Sequence, residues 1–198
     1  MTGRAAGKSV LFLAAVLAGV GGLACRQVEP LPVLTQLPEF ALLERSGAAL
    51  NLASFAGRPA IVDFIFTRCP ASCPRLTAKM KELAQRIPAA SKVRLLSISV
   101  DPDYDRPDVL TRYAEHWQVQ GDRWWFATGD GDAVEKLIRG GFLLPVEATP
   151  ANATSPILHS NRFALVDGHG RLRATYEAFE EHGLDRLLTD LARVEREP

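Results

Sequence analysis

Short apolar runs alternate with amphipathic stretches along this chain, and that alternation predicts a mixed α/β domain. Ala60-Ile61-Val62-Asp63-Phe64-Ile65-Phe66 follows Pro59 and reads as a buried strand, and Lys92 to Val100 reads as a second. Trp124 to Ala127 reads as a short third. Between and after these runs the period lengthens. Arg75 to Ile87, Pro107 to Trp117 and Asp132 to Arg139 read as helices, the second opened by a proline that needs no N–H partner there. Phe40 to Leu52 reads as a hairpin turning at Ser46-Gly47. Arg162 to Val166 and Leu172 to Tyr176 read as a second hairpin around Asp167-Gly168-His169-Gly170. Leu184 to Val194 closes the chain as an amphipathic helix, and Thr149 to Asn161 reads as a long irregular segment. Strands alternating with helices, followed by a hairpin and a helix, predict a central mixed sheet flanked by helices, with the N-terminal hairpin as an extension.

In an open α/β sheet the functional edge is the carboxyl end of the parallel strands. Cys69 and Cys73 follow the first strand, and Asp101 and Asp105 follow the second. The Arg162 strand should run antiparallel to these, so its amino end, just after His159, reaches the same edge.

The N-terminus has a different character. Arg4 and Lys8 precede a small and apolar run from Val10 to Ala24, followed by Cys25. That is a positive segment and a hydrophobic segment too short for a comfortable membrane span, the pattern of an export signal. Gly22-Leu23-Ala24-Cys25 resembles a bacterial lipoprotein cleavage box with Cys25 as the lipidated residue, although Gly22 stands where a leucine is expected. Ordinary secretory cleavage and an uncleaved short anchor are the alternatives. Residues 1–25 are therefore expected to be a signal or anchor. Residues 26–38, with three prolines and little periodicity, are expected to be a tether, and residues 39–198 the domain. The expected location is the outward-facing side of a bacterial cell envelope. At 198 residues, 47% hydrophobic and 23% charged, the chain has the size and make-up of one globular domain. Its 23 basic residues balance 23 acidic ones, so no nucleic-acid partner is expected.

Export makes the cysteine count informative. Of three cysteines, one is Cys25, which leaves Cys69 and Cys73 and no disulfide framework. The pair lies in Phe66-Thr67-Arg68-Cys69-Pro70-Ala71-Ser72-Cys73-Pro74, a strand-to-helix turn. There the backbone N–H groups and the helix dipole favour a thiolate, the form that binds metals and attacks disulfides. Residues four apart on a helix share a face, so both sulfurs can meet one soft ion, and a disulfide between them is also allowed. Of four histidines, His116 reads as a packed or surface residue, His169 as a turn residue and His182 as solvated. His159 is the one placed to face the cysteines. Two thiolates and an imidazole form a soft set that suits copper, whereas structural zinc sites want four protein ligands. Asp101 and Asp105 could bind a hard cation, but better fit fixing the loop, capping the Pro107 helix or meeting a partner.

The Phe66–Pro74 run, Ser99-Val100-Asp101-Pro102-Asp103-Tyr104-Asp105 and His159-Ser160 together resemble the Sco/SenC family. The resemblance spans Phe40 to Val194 and implies a thioredoxin-like fold. It implies copper, as Cu(I) or Cu(II), held by Cys69, Cys73 and His159, and a metallochaperone role in assembling cytochrome c oxidase. It maps the family's paired-aspartate loop onto Asp101 and Asp105. The implied partners are the copper-bearing subunit of the oxidase, another periplasmic copper chaperone and, through the N-terminal segment, the membrane. Leu158 departs from the pattern, standing where the family commonly carries an aspartate. A thiol–disulfide oxidoreductase using Cys69 and Cys73 is the alternative, and a peroxidase of the peroxiredoxin type is a weaker third.

Overall fold

The computed structural model describes residues 2, 29–144, 147–148, 157–158 and 160–197. Cys25 and His159 lie outside the described residues. The strands are β1 (Thr35–Gln36), β2 (Ala41–Glu44), β3 (Ala49–Asn51), β4 (Ala60–Ile65), β5 (Arg94–Ser99), β6 (Trp124–Gly129), β7 (Glu147–Ala148), β8 (Ile157–Leu158), β9 (Arg162–Val166) and β10 (Arg171–Glu177). The α-helices are α1 (Ser72–Arg86), α2 (Pro107–His116), α3 (Gly131–Lys136) and α4 (Gly183–Val194). No helix among the described residues is long and apolar enough to cross a membrane.

Eight strands form one sheet in the order β1-β10-β9-β4-β5-β6-β2-β3. β4, β5 and β6 are parallel, and β9 and β2 flank them antiparallel. Every residue of β4 is buried, which is why its sequence, Asp63 apart, is apolar on both faces rather than alternating. α1 sits between α2 and α4. A hydroxyl bond of 2.7 Å between Thr77 and Tyr113 ties it to α2, and the Arg86–Asp185 ion pair ties it to α4. Leu76, Met80 and Leu83 of α1 are fully buried, so Met80 is a core residue as its spacing predicts. The hairpin β2–β3 joins the sheet at the free edge of β6, the expected extension.

Several bounds move by one or two residues from the sequence reading, β8 falls within the segment expected to be irregular, and three larger differences bear on the site and its surroundings. α1 begins at Ser72 rather than Arg75, which places Cys73 inside its first turn. The helix expected through Arg139 ends at Lys136 and passes into a single π-type turn, Leu137–Gly141. That turn delivers Phe142 edge-on to Phe64 of β4, with ring centroids 5.0 Å apart. The segment expected to be a tether is packed against the domain from Glu29 onward. Leu37 is buried, and Thr35–Gln36 pairs with β10. Buried Arg173 donates to the carbonyls of Leu31 and Pro32 and pairs with Asp167 and Glu197. Prolines hide this packing from a periodicity argument, because the segment is held by backbone bonds and the single apolar side chains of Leu31 and Leu37 rather than by a periodic apolar face.

Candidate metal and thiol centre

The parallel strands β4 and β5 deliver the Phe66–Pro74 and Val100–Asp105 segments side by side. Val100 N–H donates to the Ile65 carbonyl at 2.8 Å, extending the β4–β5 ladder to the point where both chains leave the sheet. The strand–turn–helix geometry that the cysteine spacing predicts is therefore present. The two sulfurs occupy unlike surroundings. Cys69 lies in the turn and retains 8% exposure, whereas Cys73 has none. They are not joined by a disulfide.

Hydrogen bonds separate the two thiols further. The Cys73 backbone N–H donates to Cys69 Sγ at 3.3 Å, and Ser72 Oγ lies 3.5 Å from the same sulfur. Burial alone would raise the Cys69 pKa. The N–H groups of Cys73 and Ala71, the Ser72 hydroxyl and the Cys73 thiol outweigh it and bring it below the ordinary thiol value. Cys73 goes the other way. Its burial pushes the thiol up, the Phe66 N–H bond at 3.5 Å offsets only part of this, and the negative charge of Cys69 and of Asp63 adds to it. The pair thus combines a reachable, thiolate-prone sulfur with a buried, proton-holding one.

Asp105 anchors the turn that carries Cys69. It is fully buried and accepts three bonds: from Thr67 N–H at 3.0 Å, from the Thr67 hydroxyl at 2.5 Å and from the Ser99 hydroxyl at 2.7 Å. Burial raises its pKa despite these donors. Asp101 takes Arg68 through Nε at 3.1 Å and Nη2 at 2.6 Å, and that guanidinium lies 4.2 Å from the centre of the half-exposed Tyr104 ring. The Ser99 hydroxyl also accepts from Asp101 N–H at 3.0 Å. Both aspartates therefore tie the two loops together. Arg68 and Thr67 are the residues that sequence reasoning missed. Their signal was position, directly before Cys69 in a run otherwise read only for its cysteines and prolines.

A third carboxyl lies beneath the site. Asp63, in the middle of β4, is fully buried, and neither oxygen has a hydrogen bond of ordinary geometry. Ser97, its register partner on β5, lies beside it and eases its charge slightly, while the Ser97 hydroxyl accepts from Trp124 Nε1 at 3.0 Å. Desolvation raises the Asp63 pKa to about 7.

Among the described residues, no three histidine, cysteine or acidic side chains are grouped to hold a metal. Any third donor beside Cys69 and Cys73 must come from elsewhere. Ser160 and the start of β9 are described. β9 runs antiparallel to β4, with Val62 opposite Ala164, so its amino end lies toward the cysteine edge. His116 is exposed with its ring edge-on to Trp117, His169 sits in the β9–β10 turn, and His182 is exposed beside Asp185. None of these three stands by the thiols. The donor set fits a soft cation: both sulfurs lie at one helix start, and one of them is biased toward thiolate.

The family model described as SCO1/SenC matches residues 32–194. A Bacillus subtilis protein named as an SCO1 protein homolog is 30% identical over 191 residues, spanning 96% of this chain and 94% of its own. A Stutzerimonas stutzeri protein named for copper binding is 28% identical over 169 residues, spanning 84% and 81%. The solved structure of BsSco is described as showing a disulfide switch in a member of the Sco family of cytochrome c oxidase assembly proteins. It superposes with a TM-score of 0.75 at 28% identity over 86% of this chain and all of that one.

Proposed function

This chain belongs to the SCO1/SenC family, and from that premise we propose that it is a copper-delivery protein of the cell envelope, with copper as its cargo. Cys69, Cys73 and His159 are the donors in this reading. The destination is the binuclear copper centre of cytochrome c oxidase, and residues 10–25 hold the protein to the membrane through a lipid on Cys25 or an uncleaved apolar segment. The observation that carries it is the pair of unlike sulfurs at the start of α1. The reachable Cys69 offers a thiolate to an incoming soft ion, and the buried Cys73 completes the site once it gives up its proton. The β9 amino end, two residues beyond Ser160, supports His159 as the third donor. Copper titration of the reduced protein tests it. Loss or weakening of binding is expected in Cys69→Ala, Cys73→Ala and His159→Ala, and unchanged binding in His159→Ala would remove that residue from the set.

One observation favours a second role for the same sulfurs. A low-pKa accessible cysteine beside a high-pKa buried one is the arrangement that thiol–disulfide exchange requires. Cys69 would attack a partner's disulfide to form a mixed disulfide. Cys73 would then displace the partner's thiol, closing a Cys69–Cys73 disulfide and passing two electrons to the partner. The disulfide switch named for BsSco accords with this. Exchange should depend on both cysteines and be indifferent to His159.

A further inference from the structure

The end of the sheet opposite the thiols has a charge pattern of its own. Each parallel strand starts with basic residues: Arg58 before β4, Lys92 and Arg94 at β5, and Arg123 before β6. Arg58 and Lys92 are exposed. The guanidiniums form a like-charge group. Arg94 is held below the usual arginine value first by burial and then by Arg58 and Arg123, with Asp122 only partly offsetting them. Arg123 spends its N–H groups on the carbonyls of Pro88, Ala89 and Ser91, which leaves its charge in place. The acids at this end are Asp122, Asp167, Glu195 and Glu197. Asp167 and Glu197 are paired with Arg173, exposed Asp122 lies 3.8 Å from Arg94, and Glu195 accepts from the Ser91 hydroxyl and the Lys92 backbone N–H and so keeps its charge, which leaves the cations in excess. Arg196, past the end of α4, adds another exposed cation. A cleft of about 580 Å³ bordered by Gly57, Lys92, His169 and Glu195 opens on the same end.

The chain enters the domain here as well. Glu29 is held through its carbonyl by Arg193 in the last turn of α4, and Leu31 N–H by Glu197 at 3.2 Å. Glu29 is therefore fastened beside the basic end, with the buried Arg173 holding the Leu31 and Pro32 carbonyls just after it.

We propose that this basic end rests on anionic phospholipid headgroups, so that the thiol edge points away from the membrane and is free to meet partner domains that stand above the lipid surface. The proposal depends on the reading of residues 10–25 as a membrane anchor. With only three residues, 26–28, between that segment and the fastened Glu29, the domain has little freedom to turn over. Each exposed cation near an anionic surface is worth about a fivefold gain in the docked population at ordinary ionic strength.

The test uses the full chain in vesicles of phosphatidylcholine alone and of phosphatidylcholine with about 30 mol% phosphatidylglycerol. Flotation reports attachment, and hydrogen exchange read by mass spectrometry reports orientation. The expected result is attachment to both vesicles, with exchange slowed over residues 88–92 and 119–123 only where phosphatidylglycerol is present, and unchanged over residues 101–106. The protection should vanish in an Arg58→Gln, Lys92→Gln, Arg196→Gln variant and, for the unaltered chain, at about 0.5 M salt. A chain that floats with both vesicles but exchanges identically in them, or is protected over 101–106 instead, overturns the orientation and leaves the anchor standing. A chain that floats with neither overturns the anchor, and the orientation with it.

Discussion

Replacing Asp63 with asparagine should change how stability depends on pH, and the size of the change can be worked from the structure. The folded protein holds the Asp63 proton far more tightly than an unfolded chain does, with a pKa of about 7 against 3.8. The sign follows. A raised folded pKa contributes stability below pH 4, and that contribution drains away as pH rises through 7. At 1.36 kcal/mol per unit the full effect is about 4 kcal/mol, of which about 2.5 kcal/mol is lost between pH 5 and pH 8. Asparagine keeps the shape and cannot ionise. Urea unfolding of the reduced, metal-free parent and of Asp63→Asn at matched pH values reads the difference directly, because the other titrating groups are common to both. The parent should lose about 2.5 kcal/mol relative to the variant across that range. Parallel stability–pH curves would show that Asp63 is already paired or hydrated, and the reasoning would fail.

Three other outcomes follow from the same geometry. Asp105→Ala leaves the Thr67 and Ser99 donors buried without an acceptor, so it should cost about 3 kcal/mol in a denaturant melt and loosen the Cys69 turn, read as a weakened copper affinity that Asp105→Asn partly restores. Arg173→Met takes from Glu197 its cation and from Asp167 one of two, leaving Arg171 on Asp167, and frees the Leu31 and Pro32 carbonyls; a loss of about 3 kcal/mol and new protease cleavage between residues 29 and 36 are expected. Iodoacetamide should modify Cys69 long before Cys73 in the reduced protein, and equal rates at pH 7 would contradict the asymmetry of the two sulfurs.

Much of the site was legible because local chemistry and topology agree there. A buried apolar strand, a proline-framed turn and an amphipathic helix place Cys69 and Cys73 whatever the rest of the sheet does. Asp101 and Asp105 were legible as candidates because they follow the neighbouring strand, with loop fixing, helix capping and partner contact all left open. Their hydrogen-bond partners were not, since Thr67, Arg68 and Ser99 meet them only through the parallel pairing of β4 and β5. Asp63 went unremarked inside an apolar run, although a lone acid in the centre of a fully buried strand was a visible anomaly. The packing of the segment from Glu29 onward was not legible because one of its main holds is Arg173, about 140 positions away in sequence. His159 and Cys25 rest on spacing and resemblance alone, because both lie outside the described residues.

The most direct measurement of the central claim is copper stoichiometry and affinity of the reduced protein beside Cys69→Ala, Cys73→Ala and His159→Ala, with absorbance recorded on loading. The account predicts about one copper per chain, a thiolate-to-Cu(II) charge-transfer band and loss or weakening in all three variants. Copper held equally well without the cysteines, or a parent that retains none, would contradict it.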